Sequence, residues 1–504
     1  MVKRLLPLLL IYFMVLVLYY PVFSVYFSQD DFFHFKVSQT DGTLGGFLKL
    51  FGFYPFEERG IAFYRPLTRE VVYNTFYSLF GLNVLPFRIL SFAIHFINIS
   101  LVYFLIRRLF RKRDLAFFVA FFFGITAANV ATLYYFTGGI QALGATMFML
   151  LAIVSFLNYL EKRSFHWKGL SFIAYLLALG SHELAVATPV LLGGLFWSRG
   201  QGSFKDRLLQ GARELWIFIL VLPLFLYSDI KKIGFSQQEK QYQAVFSLKR
   251  TLNSLSWYAV WALGVPEMLI DFVRPGLKLN PSLMRHWGEY FRLIFASFLA
   301  SVAILIGCLA YLLVRARKVF RDKKLWFFLL WFPTSLLPVI FLPLHKSTYY
   351  LVPALPAFWG AVGFVVFSGT SSIKKKHPRL GGMLLGGITL FLVALSVTSA
   401  RLGDSTYWAA SRGRLAERLL SEVQSMYPEL PKGAVVYFKN DPNYPFVANE
   451  WGSTSKQASF VLNGEDALQL FYNDPTLKVF YEDLGGIPYG LSGDQVFSLV
   501  AQIQ

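Results

Sequence analysis

Two adjacent carboxylates and an imidazole lie close together near residue 30 of the sequence. The stretch from Ser28 to His34 reads SQDDFFH, so a helix there places His34 about one turn after Asp30 and Asp31. Adjacent acids repel each other, and such a pair suits a general base or, together with His34, the ligand set of a divalent cation (Mg²⁺ or Mn²⁺). A solvated helix end is the alternative interpretation.

Polar residues interrupt apolar sequence at three later places, within YRPL, GSHELA and HKSTYY. Charged side chains at membrane depth cost about 2.5–3.5 kcal/mol each, so they mark candidate functional sites. Arg65 could bind a phosphate, or pair with Glu57 or Glu70 to shape a loop, and each of the other two places could be an ordinary turn. The candidate binding residues are Arg65, His182, Glu183, His345, Lys346 and Tyr349.

The composition indicates that these residues lie in a membrane protein. Of the 504 residues, 55% are hydrophobic and only 15% are charged, whereas soluble domains carry roughly 25% charged residues. The net charge of +19 is concentrated, because six short segments contain 24 of the 48 Lys and Arg residues. Short basic loops are the positive-inside signature. A nucleic-acid partner is therefore not needed to explain the charge, and none is expected. The basic segments are 1–4, 107–114, 161–168, 198–213, 315–324 and 374–379.

The apolar runs predict an all-α polytopic membrane protein with about eleven transmembrane helices. With the basic segments in the cytoplasm, the N-terminus lies inside and the C-terminus outside a bacterial or archaeal plasma membrane. Residues 1–400 form the membrane domain, with an outer loop at 28–84 and an outer or interfacial segment at 229–290. The predicted spans are 5–27, 86–106, 115–132, 140–160, 169–181, 184–197, 214–228, 291–314, 325–343, 349–367 and 380–400.

The segment 251–270 is apolar enough to be a further span. A crossing there would put the basic segments 315–324 and 374–379 outside, against the positive-inside rule. We therefore predict an interfacial or re-entrant helix, with Trp257 and Trp261 at headgroup depth.

The last hundred residues differ in composition from the membrane part. Residues 401–504 carry eight basic and twelve acidic residues, and they begin with a helical pattern that ends at two prolines. Strand-like runs follow at 434–438 and 477–481, with a helical stretch near 465–472. The pattern predicts a small extracytoplasmic α/β domain.

An ordered set of short motifs resembles the C-type glycosyltransferase (GT-C) superfamily. The motifs are the acidic pair after the first span, YRPL, FGLN, the spacing of His95 and Asn98 in an apolar span, and GSHELA followed by Pro189. The resemblance is to the branch containing protein O-mannosyltransferases, aminoarabinose transferases and multispan bacterial relatives. Many of these relatives have Lys where this chain has His182, and Arg-Tyr where it has Lys346 and Ser347. On the residues alone, His95 and Asn98 are better explained by hydrogen bonds between helices.

The resemblance implies transfer of a sugar, with inversion, from a polyprenyl-phosphate carrier to an acceptor hydroxyl on the outer face. Asp30 would be the catalytic carboxylate, and Asp31 would support it or help to hold a metal. Arg65, His182 and Lys346 are then the candidate cations for the leaving phosphate. The expected partners are the lipid-linked sugar, a glycan, lipid or protein acceptor, and the bilayer. A transporter and a non-catalytic scaffold remain the rival functions.

Overall fold

The computed structural model describes residues 2–199, 204–234, 240–444, 452–488 and 496–503. These ranges are mostly helical, and caps explain several boundaries. The α6 helix, for example, begins after Asn83, whose side chain accepts a hydrogen bond from the Leu85 amide, and ends at Arg111 in the left-handed conformation. The first eleven helices are α1 (Val2–Tyr19), α2 (Asp30–Val37), α3 (Leu44–Lys49), α4 (Phe56–Arg59), α5 (Glu70–Phe80), α6 (Val84–Phe110), α7 (Arg113–Ile125), α8 (Asn129–Tyr134), α9 (Phe136–Lys162), α10 (Phe165–Leu179) and α11 (Thr188–Arg199).

The second half of the membrane part contains the remaining apolar helices and a small β-hairpin. In chain order its elements are α12 (Phe204–Tyr227), α13 (Leu248–Ala262), α14 (Leu269–Phe272), β1 (Val273–Arg274), β2 (Lys278–Leu279), α15 (Pro281–Arg315), α16 (Lys323–Ser335), α17 (Leu337–Ile340), α18 (Leu355–Lys374) and α19 (Pro378–Thr406).

Seven helices within the described ranges are long and apolar enough to cross a membrane. Four predicted spans instead correspond to α7, α10, α11 and α16, which have 13, 15, 12 and 13 residues. At 1.5 Å per residue these helices reach about 18–23 Å, less than the ~30 Å of hydrocarbon. The predicted count of eleven spans is therefore not shown. The seven are Leu6–Ser24, Val84–Phe110, Phe136–Lys162, Lys205–Ile233, Pro281–Arg315, Leu355–Lys374 and Pro378–Met426.

His95 and Asn98 make the predicted hydrogen bonds between helices. Nε2 of His95 lies 3.3 Å from the carbonyl oxygen of Gly124, and Nδ2 of Asn98 donates to the carbonyl of Leu143 at 3.0 Å. Both side chains are fully buried. They join α6 to α7 and α9, which confirms their structural interpretation.

The segment 251–270 forms α13, a turn at Gly264 and the start of α14. Trp261 is 0% exposed and packs edge-on against Tyr258, with ring centroids 5.5 Å apart. Trp261 therefore belongs to the packed interior of the protein, where an aromatic ring contributes a large buried area, and its position at headgroup depth stays a prediction. Trp257 is half-buried beside it.

The described C-terminal part contains the 19-residue helix α20, two small helices and a three-stranded parallel sheet in the order β4-β3-β5. Val435 is paired with Lys478 in β4 and with Val496 in β5. The predicted boundary at residue 400 lies in the second-last turn of α19, which ends at Thr406. The elements are α20 (Trp408–Met426), β3 (Val435–Lys439), α21 (Thr454–Leu462), α22 (Asp466–Phe471), β4 (Lys478–Tyr481) and β5 (Val496–Val500).

The outer loop and the C-terminal part share one hydrophobic core. Phe27, Phe35 and Phe87 belong to the same buried cluster as Val436 and Leu468. The ring centroid of Phe27 lies 4.8 Å from that of Phe35 and 5.0 Å from that of Phe87, with edge-on geometry. This packing fixes α2 against the C-terminal helices and thereby positions the acids at the start of α2.

Candidate functional site

A cavity of about 440 Å³ brings together six of the residues singled out in the sequence. They come from the outer loop and from the segment before α18, which are far apart in sequence. Aromatic and polar residues from α8–α9, α20 and the turn after α13 complete its wall. The six are Asp30, His34, Arg65, His345, Lys346 and Tyr349.

Asp30 is exposed at the wall of this cavity, at the first position of α2. The Tyr135 hydroxyl donates to its Oδ2 at 2.6 Å. Gln29, just before it, has a positive φ of 50°, a strained conformation for a residue with a side chain. The Gln29 amide donates to the Val461 carbonyl at 2.9 Å, and its side chain accepts from Arg412 at 2.7 Å. The C-terminal elements thus hold the backbone that presents Asp30.

Asp31 does not line the cavity and is only 3% exposed. Its Oδ1 accepts from the Tyr73 hydroxyl at 2.7 Å, and from the hydroxyl and amide of Thr137 at 2.6 and 3.2 Å. Its Oδ2 accepts from the Ser28 amide at 3.1 Å. These bonds join α2 to α5 and α9, so the two adjacent acids occupy different environments.

Arg65 forms a two-point ion pair with Glu183. Its Nε donates to Oε2 at 2.8 Å and its Nη2 to Oε1 at 2.5 Å, while Nη1 donates to Gln141 at 2.5 Å. Burial alone raises the pKa of Glu183, but Arg65 and His182 outweigh it and hold that pKa below its ordinary value. The acid paired with Arg65 is therefore neither Glu57 nor Glu70, the two acids that the sequence suggested as partners. Glu70 pairs instead with Arg69 at 2.8 Å.

His182 and Glu183 are outside the cavity wall, behind Arg65. Nδ1 of His182 lies 3.1 Å from Oε2 of Glu183, and the imidazole is 0% exposed. Burial and the Arg65 guanidinium lower the pKa of His182, which favours the neutral ring. This geometry suits a residue that orients the Arg65–Glu183 pair.

The segment carrying His345 and Lys346 is fixed by a half-buried acid of the cavity wall, Glu267, which the motifs did not indicate. Glu267 accepts from the Ser347 hydroxyl at 3.1 Å, and from the amide and hydroxyl of Thr348 at 2.6 Å each. Burial raises the pKa of Glu267 and lowers that of Lys346. The only sequence signal for Glu267 is an acid within the apolar run 251–270.

Other wall residues carry no motif, and the sequence reasoning missed them. They are a buried cation and several rings, including Trp408 from α20, whose ring centroid is 4.8 Å from that of Tyr135. Rings of this kind offer flat surfaces to a sugar or a lipid headgroup. The buried cation is Arg69, and the main rings are Tyr135, Tyr242, Tyr350 and Trp408.

The residues present do not fit the divalent-cation site expected from Asp30, Asp31 and His34. In the described part of the chain, no group of three or more His, Cys, Asp or Glu side chains is placed to hold a metal ion. The carboxylate of Asp31 is already bound by Ser28, Tyr73 and Thr137. His34 lines the cavity as a neutral ring, because burial and the cations Arg69 and Arg65 hold its pKa well below the ordinary value.

Comparison with known proteins supports the resemblance inferred from the motifs. The model of the family described as dolichyl-phosphate-mannose-protein mannosyltransferase matches residues 65–227. This range includes Arg65, His182 and Glu183, whereas Asp30 and Lys346 lie outside it. The chain is thus similar, over that range, to glycosyltransferases of the GT-C type. No curated protein matches the chain.

Among solved structures, one similar chain is the archaeal oligosaccharyltransferase AglB from Archaeoglobus fulgidus, in complex with an inhibitory peptide and a dolichol-phosphate. The two chains are 13% identical with a TM-score of 0.46. The match covers 91% of this chain and 63% of that one.

Proposed function

We propose that the chain is a GT-C-type glycosyltransferase, which moves a sugar from a polyprenyl-phosphate carrier to an acceptor hydroxyl on the outer face of the membrane. The observation that carries the proposal is the cavity in which an exposed acid, Asp30, shares a wall with Arg65 and Lys346. This is the pairing of a base with cations that sugar transfer from a phosphate requires. The family match over residues 65–227 supports the same reaction class.

Asp30 is the proposed general base. As the acceptor oxygen attacks the anomeric carbon, Asp30 takes the hydroxyl proton, and the bond from that carbon to the phosphate oxygen breaks. The bonding electrons leave with the polyprenyl phosphate, and attack from the opposite face inverts the anomeric centre. The Tyr135 hydroxyl, 2.6 Å from the carboxylate, orients it. The acceptor is a glycan, a lipid or a protein hydroxyl.

Arg65 and Lys346 are the proposed partners of the leaving phosphate. A guanidinium carries five N–H groups, and the bonds to Glu183 and Gln141 use three of those on Arg65. The remaining two can donate to a phosphate from a fixed position. Lys346 adds a second positive charge from a segment that Glu267 holds in place. Charges fixed before the reaction stabilise the developing phosphate charge without reorganisation.

Analysis of carrier lipids in a strain that lacks the chain tests this function. A transferase that no longer consumes its donor leaves the polyprenyl-phosphate-linked sugar to accumulate. We expect the wild-type gene to remove the accumulated lipid and Asp30→Asn to leave it. Glu57→Gln, an exposed acid of the same loop outside the cavity, serves as the matched control and should behave as wild type. Full complementation by Asp30→Asn would favour a scaffold or a transporter.

A further inference from the structure

A second and larger cavity, of about 810 Å³, lies at the opposite end of α1 from Asp30. It is bounded by α1, α6, α7, α18 and α19, and its lining is predominantly apolar. We call it the α1/α7 groove. The residues that define its apolar part are Leu6, Met14, Tyr103, Phe117, Phe121 and Thr389.

Charged residues lie at one end of the α1/α7 groove. Arg107 in the last turn of α6 and Arg113 at the start of α7 line it, together with the carboxylate of Asp114. Among the described residues, neither arginine side chain has a hydrogen bond or an ion pair. By contrast, Arg108 between them is paired with Glu161 at 2.5 Å. Two unpaired guanidiniums beside an apolar groove are complementary to a phosphate that carries acyl chains.

The length of the groove matches half of a bilayer. Its lining on α1 runs from Leu6 to Met14, and on α7 from Asp114 to Phe122. At 1.5 Å per residue each run covers about 12 Å, close to the ~15 Å of one leaflet's hydrocarbon. The arginines belong to the basic segment 107–114, so the open end lies at the headgroup level of the leaflet that contacts the basic loops.

We infer that the α1/α7 groove binds one phospholipid from the leaflet on the side of the basic loops. Arg107 and Arg113 hold its phosphodiester, and an acyl chain lies along Phe117 and Phe121. This lipid is distinct from the polyprenyl-phosphate donor, whose phosphate would lie beside Asp30 at the other end of α1. By filling the space between α1, α7 and α19, the lipid stabilises the helices that lead to the candidate site.

Lipid titration of the purified, delipidated full-length chain tests the inference. Phosphatidylglycerol is the probe, diacylglycerol is the same lipid without a phosphate, and binding is followed by native mass spectrometry and by thermal unfolding. We expect phosphatidylglycerol to bind and to raise the Tm, and diacylglycerol to bind at least tenfold more weakly. The double substitution Arg107→Gln/Arg113→Gln should weaken phosphatidylglycerol binding about tenfold or more. The matched control Arg111→Gln/Lys112→Gln removes two charges of the same loop outside the groove, and it should leave binding unchanged.

A substitution that fills the groove gives an independent test of the acyl-chain position. Thr389→Trp places an indole in the groove and should displace the lipid, whereas Leu390→Trp, on the neighbouring 65% exposed position of α19, should not. The inference would be overturned if phosphatidylglycerol bound equally well to the wild type and to the double arginine variant. It would also be overturned if the control Arg111→Gln/Lys112→Gln lost as much binding as the double arginine variant. If the double arginine variant fails to fold, undiminished binding of phosphatidylglycerol to Thr389→Trp would overturn the inference.

Discussion

Asp30 and Asp31 are adjacent in the sequence, but only Asp30 faces the cavity. We expect Asp30→Asn to lower the transfer rate by about 10²–10⁴-fold, the usual contribution of a general base, with an unchanged Tm. Asp31→Asn should act through stability, because it disturbs a buried acceptor of bonds from Ser28, Tyr73 and Thr137. Such a change costs about 1–3 kcal/mol. Transfer assays and thermal unfolding of both variants check this, and a stable but inactive Asp31→Asn would contradict it.

Donor binding should depend on charge at Lys346 and on geometry at Arg65. Lys346→Gln should raise the KM for the lipid-linked sugar. Lys346→Arg should raise this KM less, because the positive charge remains. Arg65→Lys should be more damaging than Lys346→Arg, since Lys cannot reproduce the two-point contact with Glu183. Lys49→Gln, an exposed lysine of the outer loop, is the control. Titrating the donor against each variant measures the effect, and an unchanged KM throughout would exclude the phosphate contacts.

The Arg65–Glu183 pair should give stability a defined dependence on pH. The folded-state pKa of Glu183 is depressed, so its contribution is fully present above its ordinary pKa of about 4.3 and is lost as the pH falls towards the folded value. The difference in unfolding free energy between wild type and Glu183→Gln should therefore be constant from pH 8 to about 5 and shrink below about 4. Thermal unfolding in detergent across this range measures it. A difference that does not change down to pH 3 would show that the pair does not form.

At the scale of elements, the apolar runs located the long helices well but not the breaks within the membrane part. Hydropathy does not distinguish one span from two short helices joined by a turn, as at Thr126 between α7 and α8 or at Leu336 between α16 and α17. The core that contains Phe27, Phe35 and Val436 could not be predicted either. Composition shows that each segment has apolar residues, but it does not show which distant segments pack together.

The candidate site was predictable to the extent that its residues interrupt apolar sequence. Asp30, Arg65 and Lys346 stand out for that reason, and the structure brings them to one cavity. Tyr135 and Trp408 lie in aromatic-rich stretches where such residues are common, so nothing marks them before the fold is known. The different environments of Asp30 and Asp31 also depend on distant partners, namely Tyr135, Tyr73 and Thr137.

The contact between α8 and α9 should be intolerant of any side chain at Gly139. A Cβ atom there would lie 1.7 Å from the carbonyl oxygen of Thr132. Gly139→Ala must therefore separate the two helices and shift the neighbouring Tyr135, between them, and Thr137, in α9, which bind the acid pair. We expect a lower Tm and reduced transfer. Gly169→Ala in α10 meets nothing within 4 Å and should be neutral or stabilising by up to about 1 kcal/mol. Equal behaviour of the two variants would contradict the close packing.

At the scale of the whole molecule, the basic segments and the candidate site lie at opposite ends of the bundle. Arg107 and Arg113 line the groove beside the start of α1, whereas Asp30 follows its far end. From the positive-inside rule we expect the basic end to face the cytoplasm, and the site and the C-terminal sheet to lie outside.

Reporter fusions test this orientation directly. Fusions at residues 165, 320 and 376, all in basic segments, should report the cytoplasm, and a fusion after Tyr427, at the end of α20, should report the outer side. The strongest constraint is the segment 315–324, because its six basic residues would have to cross the membrane if α13 spanned it. We therefore expect that α13 does not cross the membrane and that the orientation does not invert there. An outside signal at 320 or 376, or an inside signal after 427, would show that α13 does cross. The cavity would then lack a common membrane face for Asp30 and Lys346, and the proposed reaction on the outer side would fail with it.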